Sequence, residues 1–291
     1  MDVSVRDAVV LHAGYPTLKE GLAGLEVDAV ELTVDRGLRV RALTPVEGEA
    51  FFDLSNPSGV ESFRRQYESA GIRPAGFLLA NNFNAEDLEA ELDWVIRAVR
   101  LAEELGVPAV RIDSAMRGER EMPFEARVQR FVECLRRVFD ATSNAKVPLG
   151  IENHGFQGND PAFLDAVLEG VGNPRLGLTL DTGNFYWRGH PLSRVYAIIE
   201  HFAPHVKHTH VKNIAYPPEV REQEREMGWQ YGKYVSPIPE GDIDHVRVVK
   251  MLKAAGYDRD LCAEDESLGK FAGEERRQVL RRDVDYLKSL I

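Results

Sequence analysis

The chain has 291 residues, 44% of them hydrophobic, and a formal net charge of -11. That length suits a single α/β barrel, which typically runs to about 250 residues, and the acidic balance opposes non-specific binding to nucleic acid or an anionic membrane. Two cysteines, Cys134 and Cys262, do not make a disulfide framework, and with no uncharged run of membrane-spanning length and no secretory signal a cytoplasmic protein is expected.

Short apolar runs alternate with longer amphipathic segments along the whole chain. The first candidate strands are Ala8-Val9-Val10-Leu11-His12, Ala29-Val30-Glu31-Leu32-Thr33, Pro74-Ala75-Gly76-Phe77-Leu78-Leu79 and Ala109-Val110-Arg111-Ile112-Asp113. Four more follow, in Pro148-Leu149-Gly150-Ile151-Glu152, Leu178-Thr179-Leu180-Asp181, Val206-Lys207-His208-Thr209-His210 and Leu261-Cys262-Ala263-Glu264. Helical periodicity is clearest over 86–105, 124–141 and 246–255, and a last amphipathic segment covers 274–291. Asp160-Pro161 reads as an N-cap with proline at the first helical position, and Gly106 and Gly256 stand where helix C-caps belong. Eight strand–helix alternations predict a parallel sheet closed into a (β/α)8 barrel, one domain over 1–291. A doubly wound open sheet is the runner-up, but the turn Ala13-Gly14-Tyr15-Pro16 lacks its glycine-rich signature. One irregular stretch, 215–239, is far longer than an ordinary connection and follows the seventh strand. Its aromatic residues, Tyr216, Trp229, Tyr231 and Tyr234, suit a lid over the barrel mouth; Trp229 could close over substrate or simply pin the loop.

The last four strands each end on a metal-capable side chain, in order Glu152, Asp181, His210 and Glu264. A strand buried on both faces reads as a continuous apolar run, and an ionisable group there is costly unless paired or metal-bound. Structural ion pairs are the plainer alternative, disfavoured because they leave three carboxylates crowded together. Strand alternation places Glu152 with His154, Arg111 with Asp113, and His210 with His208 and Lys212. Three carboxylates and one imidazole suit one divalent ion, Mn²⁺ first, with Mg²⁺, Co²⁺ or Zn²⁺ also compatible.

The endings Glu152-Asn153-His154, Leu180-Asp181-Thr182-Gly183-Asn184, His208-Thr209-His210-Val211-Lys212 and Ala263-Glu264-Asp265-Glu266 resemble the xylose isomerase-like TIM barrels. That superfamily holds sugar isomerases, sugar epimerases and AP endonucleases. The resemblance implies Glu152, Asp181, His210 and Glu264 as metal ligands, with Glu152 and Glu264 also acting as the bases that remove and return a proton beside a carbonyl. It also implies Asn184 as a substrate contact. The expected activity is therefore a metal-dependent isomerase or epimerase acting on a carbohydrate or polyol ketone through an enediolate.

His154 opens the alternative. Ketose 3-epimerases of the superfamily carry a further glutamate six positions after the first metal glutamate, where this chain has Gly158. Glu-x-His resembles instead the dehydroshikimate dehydratases and enzymes acting on 3-keto-glycosides, in which the histidine can serve as base for a β-elimination. A hydrogen bond from His154 that merely steadies a metal ligand weighs equally. Arg111 and Lys212 are taken as substrate contacts, against a role in neutralising an acidic mouth. His208 is expected in the interior, Glu266 in a structural role, and His12, at the end of the first strand, in the pocket wall. Phe185-Tyr186-Trp187 could stack on a sugar or merely pack, the charged run from Glu219 to Glu226 reads as a solvated helical turn, and nothing near Gly155 forms a phosphate cradle. The DNA-repair branch is set aside, since Asn184 stands where a further histidine would be needed. A barrel that keeps the metal as the partner subunit of another enzyme is a third reading. Barrels of this group often pair, so a homo-oligomer is compatible with the resemblance.

Overall fold

The computed structural model describes residues 1–291. β1 (Asp2–Arg6) leads directly into α1 (Asp7–His12), and α2 (Leu18–Leu25) returns to β2 (Ala29–Thr33). A hairpin, β3 (Arg39–Val46) and β4 (Glu49–Asp53), interrupts the alternation before α3 (Pro57–Ala70) and β5 (Arg73–Leu79). The regular repeat then resumes with α4 (Leu88–Leu105), β6 (Val110–Asp113), α5 (Phe124–Ala141), β7 (Leu149–Glu152), α6 (Pro161–Val171) and β8 (Leu176–Asp181). Short α7 (Asn184–Trp187) precedes α8 (Leu192–Phe202) and β9 (Val206–His210). The long loop follows, its base clamped by antiparallel β10 (Asn213–Ile214) and β11 (Val235–Ser236), with α9 (Tyr231–Tyr234) between them. α10 (His245–Ala254), β12 (Asp260–Ala263) and α11 (Gly273–Lys288) complete the chain.

The parallel strands run in the order β12-β1-β2-β5-β6-β7-β8-β9. A single parallel bridge between Val211 and Ala263 joins the two ends, so the eight-stranded sheet is a nearly closed (β/α)8 barrel. β7, β8 and β12 are buried at every residue, as continuous apolar runs demand. The helices cover the outside with amphipathic faces; α5 buries Phe131, Leu135 and Val138 on one side. Caps fall where the sequence puts them. Asp160 accepts from Ala162 N with Pro161 behind it, Asn56 caps α3 ahead of Pro57, and Gly106 closes α4 with φ of 67°.

The first strand corrects the sequence reading. Residues 8–12 lie in α1 and the strand is Asp2–Arg6, where buried Val3, Ser4 and Val5 pair with β12. A short apolar run fits strand or helix equally, and Asp7 decides it. Its buried carboxylate accepts from Ala8 N in the first turn and from Thr33 N and Oγ1 at the end of β2. The residue at the mouth is consequently Arg6, and His12 ends α1 exposed to solvent and does not line the cavity at the mouth. The β3–β4 hairpin also lies outside the sequence reading; its turn residues, Glu47 and Gly48, both have positive φ without the usual Asn-Gly signal.

Candidate metal centre and cavity

Parallel register levels the ends of neighbouring strands. Asp113 pairs with Glu152 and Asp181 with His210, which sets the charged termini side by side at the C-terminal mouth. One ligand atom each from Glu152, Asp181, His210 and Glu264 lies within 4.8 Å of all the others, and all four residues are buried. The sequence reading places these four together, and the fold does bring them together.

Asp181 and Glu264 each accept hydrogen bonds through one oxygen only, whereas Glu152 accepts through both. Asp181 Oδ1 accepts from Gly183 N and Asn184 N, both at 2.8 Å. Asp181 N in turn donates to Asn153 Oδ1, and Asn153 Nδ2 to the Asp181 carbonyl, so the residue after Glu152 clamps the end of β8. Glu264 Oε1 accepts from Arg6 Nη1. Arg111 Nε donates to Glu152 Oε2, while Arg111 Nη1 donates to the Leu79 carbonyl at 2.8 Å. Asn184 Nδ2 donates to Glu152 Oε1 at 3.2 Å. Three atoms are left buried without a hydrogen-bond partner: Asp181 Oδ2, His210 Nδ1 and Glu264 Oε2. His210 Nδ1 sits 3.3 Å from both Glu152 Oε2 and Glu264 Oε2, and Lys212 Nζ sits 3.1 Å from Asp181 Oδ2. Buried polar atoms are rarely left orphaned, and three converging at one point fit a divalent cation. Burial pushes the Asp181 carboxyl up to about 7, with Glu264 and Glu152 adding to the rise against the pull of Lys212. Burial would raise Glu152 too, but Arg111 and His210 hold it well below the usual carboxylate range.

Beyond the cluster lies a cavity of about 250 Å³ lined by His154, Asn184, Trp187, Lys212, Tyr231 and Glu266. Larger clefts exist, such as one of about 610 Å³ beside Leu176 and His205, but it lies where β8 and β9 begin, the face of a barrel that serves stability. His154 is 47% exposed in its side chain, and its Nδ1 lies 3.0 Å from Asp113 Oδ1, leaving Nε2 free. The hydrogen bond to Asp113 holds this imidazole above its ordinary range. Lys212 donates to Glu266 Oε1, and Tyr231 on the long loop donates to Glu266 Oε2. Glu266 thus ties the loop to the mouth. Trp229 stacks on Tyr234 at 5.6 Å and packs near Tyr216, so it pins the loop. Of the aromatic triplet, Phe185 and Tyr186 are core and Trp187 reaches the cavity. The charged run after Glu219 is less solvated than expected, because Arg225 lies between the rings of Tyr186 and Tyr216 at 4.6 and 4.5 Å.

Arg111 differs from its expected place. It is buried against Glu152 and Asp113 and does not line the cavity, whereas Asn184 and Lys212 do. Sequence reasoning misses Arg6, Glu31 and Asp260, and places Asp113 on the face of Arg111 without giving it a role. Glu31 carries a usable signal, a lone charge inside an apolar strand.

A family model described as xylose isomerase-like TIM barrel matches residues 21–290. The chain belongs to the xylose isomerase-like TIM barrel family. Among solved structures it is similar to the IOLI protein with a bound zinc atom (17% identity, 100% of this chain and 99% of that one, TM-score 0.69). It is also similar to an L-ribulose 3-epimerase (17% identity, 100% and 94% coverage, TM-score 0.69). A third is the probable 3-DHS dehydratase AsbF of Bacillus anthracis, involved in petrobactin synthesis (13% identity, 99% and 98% coverage, TM-score 0.68). No curated protein matches the chain. At these identities the likeness to solved structures carries the fold alone. No helix is long and apolar enough to cross a membrane.

Proposed function

We propose that this protein is a divalent-metal-dependent isomerase or epimerase acting on a carbohydrate or polyol ketone. The convergence of Asp181 Oδ2, His210 Nδ1 and Glu264 Oε2, all buried without a hydrogen-bond partner beside Glu152, carries the reading. A bound cation would polarise a substrate carbonyl and stabilise the enediolate that forms when the adjacent carbon loses its proton. The chain supplies everything else. Arg6 and Arg111 fix Glu264 and Glu152 in position, and both glutamates stand beside the same point as proton acceptors. Asn184, hydrogen-bonded to Glu152, and Lys212, paired with Asp181, reach the cavity and would orient substrate hydroxyl groups. Tyr231 and Trp187 screen the cavity from water. Epimerase neighbours and the zinc-bound relative support this reading.

A second reading has its own observation. His154, oriented by Asp113 through Nδ1, offers Nε2 at the cavity, as a base for β-elimination would. The shared first step is proton removal; the outcomes part when a β-substituent leaves. The dehydratase neighbour supports this lyase reading.

Purified protein loaded with Mn²⁺, Co²⁺ or Zn²⁺ and incubated in D₂O with ketoses and 3-keto-glycosides is expected to exchange a carbon-bound proton, and chelation should stop it. Glu264→Gln should slow exchange by roughly 10²–10⁴-fold, the usual contribution of a positioned base. Product analysis separates epimer from eliminated fragment. A His154→Ala variant that loses both exchange and fragment would favour the lyase with His154 as its base, whereas exchange that persists would leave proton removal to the glutamates. Failure to bind any of the three metals would overturn the proposal.

A further inference from the structure

Glu31 belongs to none of the four ligand positions, yet it is wholly buried in β2. The β2–β5 ladder shifts register between Val30 and Glu31, which sets Glu31 opposite Gly76. A Cβ at Gly76 would stand 3.2 Å from His208 Nε2, so the glycine makes room for that ring. Glu31 Oε1 lies 2.9 Å from His208 Nε2, and both its oxygens lie 2.9 Å from His210 Nε2. An ionised carboxylate only accepts hydrogen bonds, so His210 must carry its hydrogen on Nε2. That leaves Nδ1, the atom facing Glu152 and Glu264 without a hydrogen-bond partner, to act as a donor atom. His208 is held at its other end, where Nδ1 meets Asp260 Oδ1 at 3.0 Å; Asp260 also accepts from Ser4.

We infer that Glu31 is a positioning residue of the metal centre, fixing the hydrogen of His210 on Nε2 and presenting Nδ1 to the ion. The inference rests on the metal-centre reading above. It adds an interior chain, Asp260–His208–Glu31–His210, that sets the geometry of one ligand from beneath the site. The rival role for these residues is ligation. Glu31, His208, His210 and Cys262 also place one ligand atom each within 4.8 Å of one another. Ligation there would require a second ion to strip the hydrogen from both rings that Glu31 now binds. Their hydrogen-bond distances favour positioning.

The test is Zn²⁺ affinity and stoichiometry, read by competition with a chromophoric chelator, in wild type, Glu31→Gln and Glu31→Met. The glutamine keeps one oxygen to accept from His210 Nε2 and can donate to His208 Nε2. The methionine keeps the volume and loses both acceptors. One Zn²⁺ per wild-type chain is expected. The methionine variant should bind about 10–100-fold more weakly, as loss of such a partner typically does, and the glutamine variant should stay near wild type. Equal weakening in both variants, or none in either, would overturn the inference, as would two ions in wild type with one lost in the variants. A wild type that binds no Zn²⁺ would instead sink the metal centre itself, and this inference with it. Should the methionine variant fail to fold, long-range ¹⁵N spectra of Zn²⁺-loaded wild type decide. Hydrogen on His210 Nε2 with zinc on Nδ1 supports the assignment, and the reverse overturns it.

Discussion

Gly158 shows how a single missing side chain bears on the choice of chemistry. A Cβ at this position would overlap Ser114 Oγ and lie 2.6 Å from the His154 carbonyl oxygen. Ser114 Oγ donates to that carbonyl at 2.9 Å and accepts from His154 N at 3.3 Å, which seats His154 over the cavity. The space that a glutamate would need at 158 is therefore taken by the contact that positions His154. Gly158→Ala is expected to cost about 1–3 kcal/mol, the usual range for overpacking, read as a lower urea midpoint at unchanged slope. It should also weaken any step that depends on His154. A variant as stable as wild type would mean that Ser114 can move aside freely, and the link between the two residues would fail. Residues of this kind divide by how far sequence can see. Glu152, Asp181, His210 and Glu264 are legible because each ends an apolar run. Arg6 is not, since its partner Glu264 lies 258 positions away and only barrel closure brings the two together. Arg111 is legible as a functional residue but misplaced, because spacing gives the face of a strand and not the depth of a side chain.

At the scale of elements, repeat and cap chemistry make most boundaries readable, and failures come where runs are short. Phe124–Ala141 is the helix its periodicity implies, whereas Ala8–Leu11 carries too few residues to tell helix from strand. The start of α10 is readable to within a residue, but nothing in the pattern singles out its first residue, His245. That side chain is fully buried beneath the mouth, with Nε2 3.2 Å from Thr182 Oγ1 and Nδ1 without a partner. Asp244, the backbone of Lys212 and the ring of Tyr286 are among its neighbours. Burial lowers this imidazole from 6.5 to about 4, and Asp244 only partly opposes the change. The unfolded chain therefore binds a proton through pH 6.5 that the folded chain refuses until about pH 4. Between those values the unfolded state holds more protons, so stability falls as pH falls. The fully developed effect is about 3 kcal/mol, at roughly 1.4 kcal/mol for each pH unit that separates the two states. His245→Gln keeps a donor for Thr182 and removes the titration. Its denaturation free energy between pH 7 and pH 4 should fall less steeply than that of wild type by about this amount. Parallel slopes would show that the ring finds a proton acceptor in the folded state.

The whole molecule depends on closing a sheet whose ends meet sparingly. β9 and β12 share one backbone bridge, made by Val211 N on the Cys262 carbonyl and Glu264 N on the Val211 carbonyl. Toward the start of the strands the ladder is replaced by a side chain. Thr209 Oγ1 donates to the Asp260 carbonyl at 2.9 Å and accepts from Cys262 N at 3.2 Å. One hydroxyl thus does for this seam what paired main chains do elsewhere in the barrel. Eight alternations predict a closed barrel, but no pattern of apolar residues can tell which pair of strands will close it through a threonine. The seam bears on the proposed function because it lies between two of the four proposed ligands, His210 at the end of β9 and Glu264 just past β12. Thr209→Val keeps the shape and removes the hydroxyl. It should cost about 1–3 kcal/mol, the penalty for leaving buried backbone groups without a partner. The loss should be local: amide hydrogen exchange should quicken along β9 and β12 while β5, β6 and β7 keep their protection. Metal affinity should fall with it, since His210 and Glu264 would no longer be held at a fixed separation. Uniform acceleration across all eight strands would mean that the barrel opens only as a whole and that the seam is no weaker than the rest.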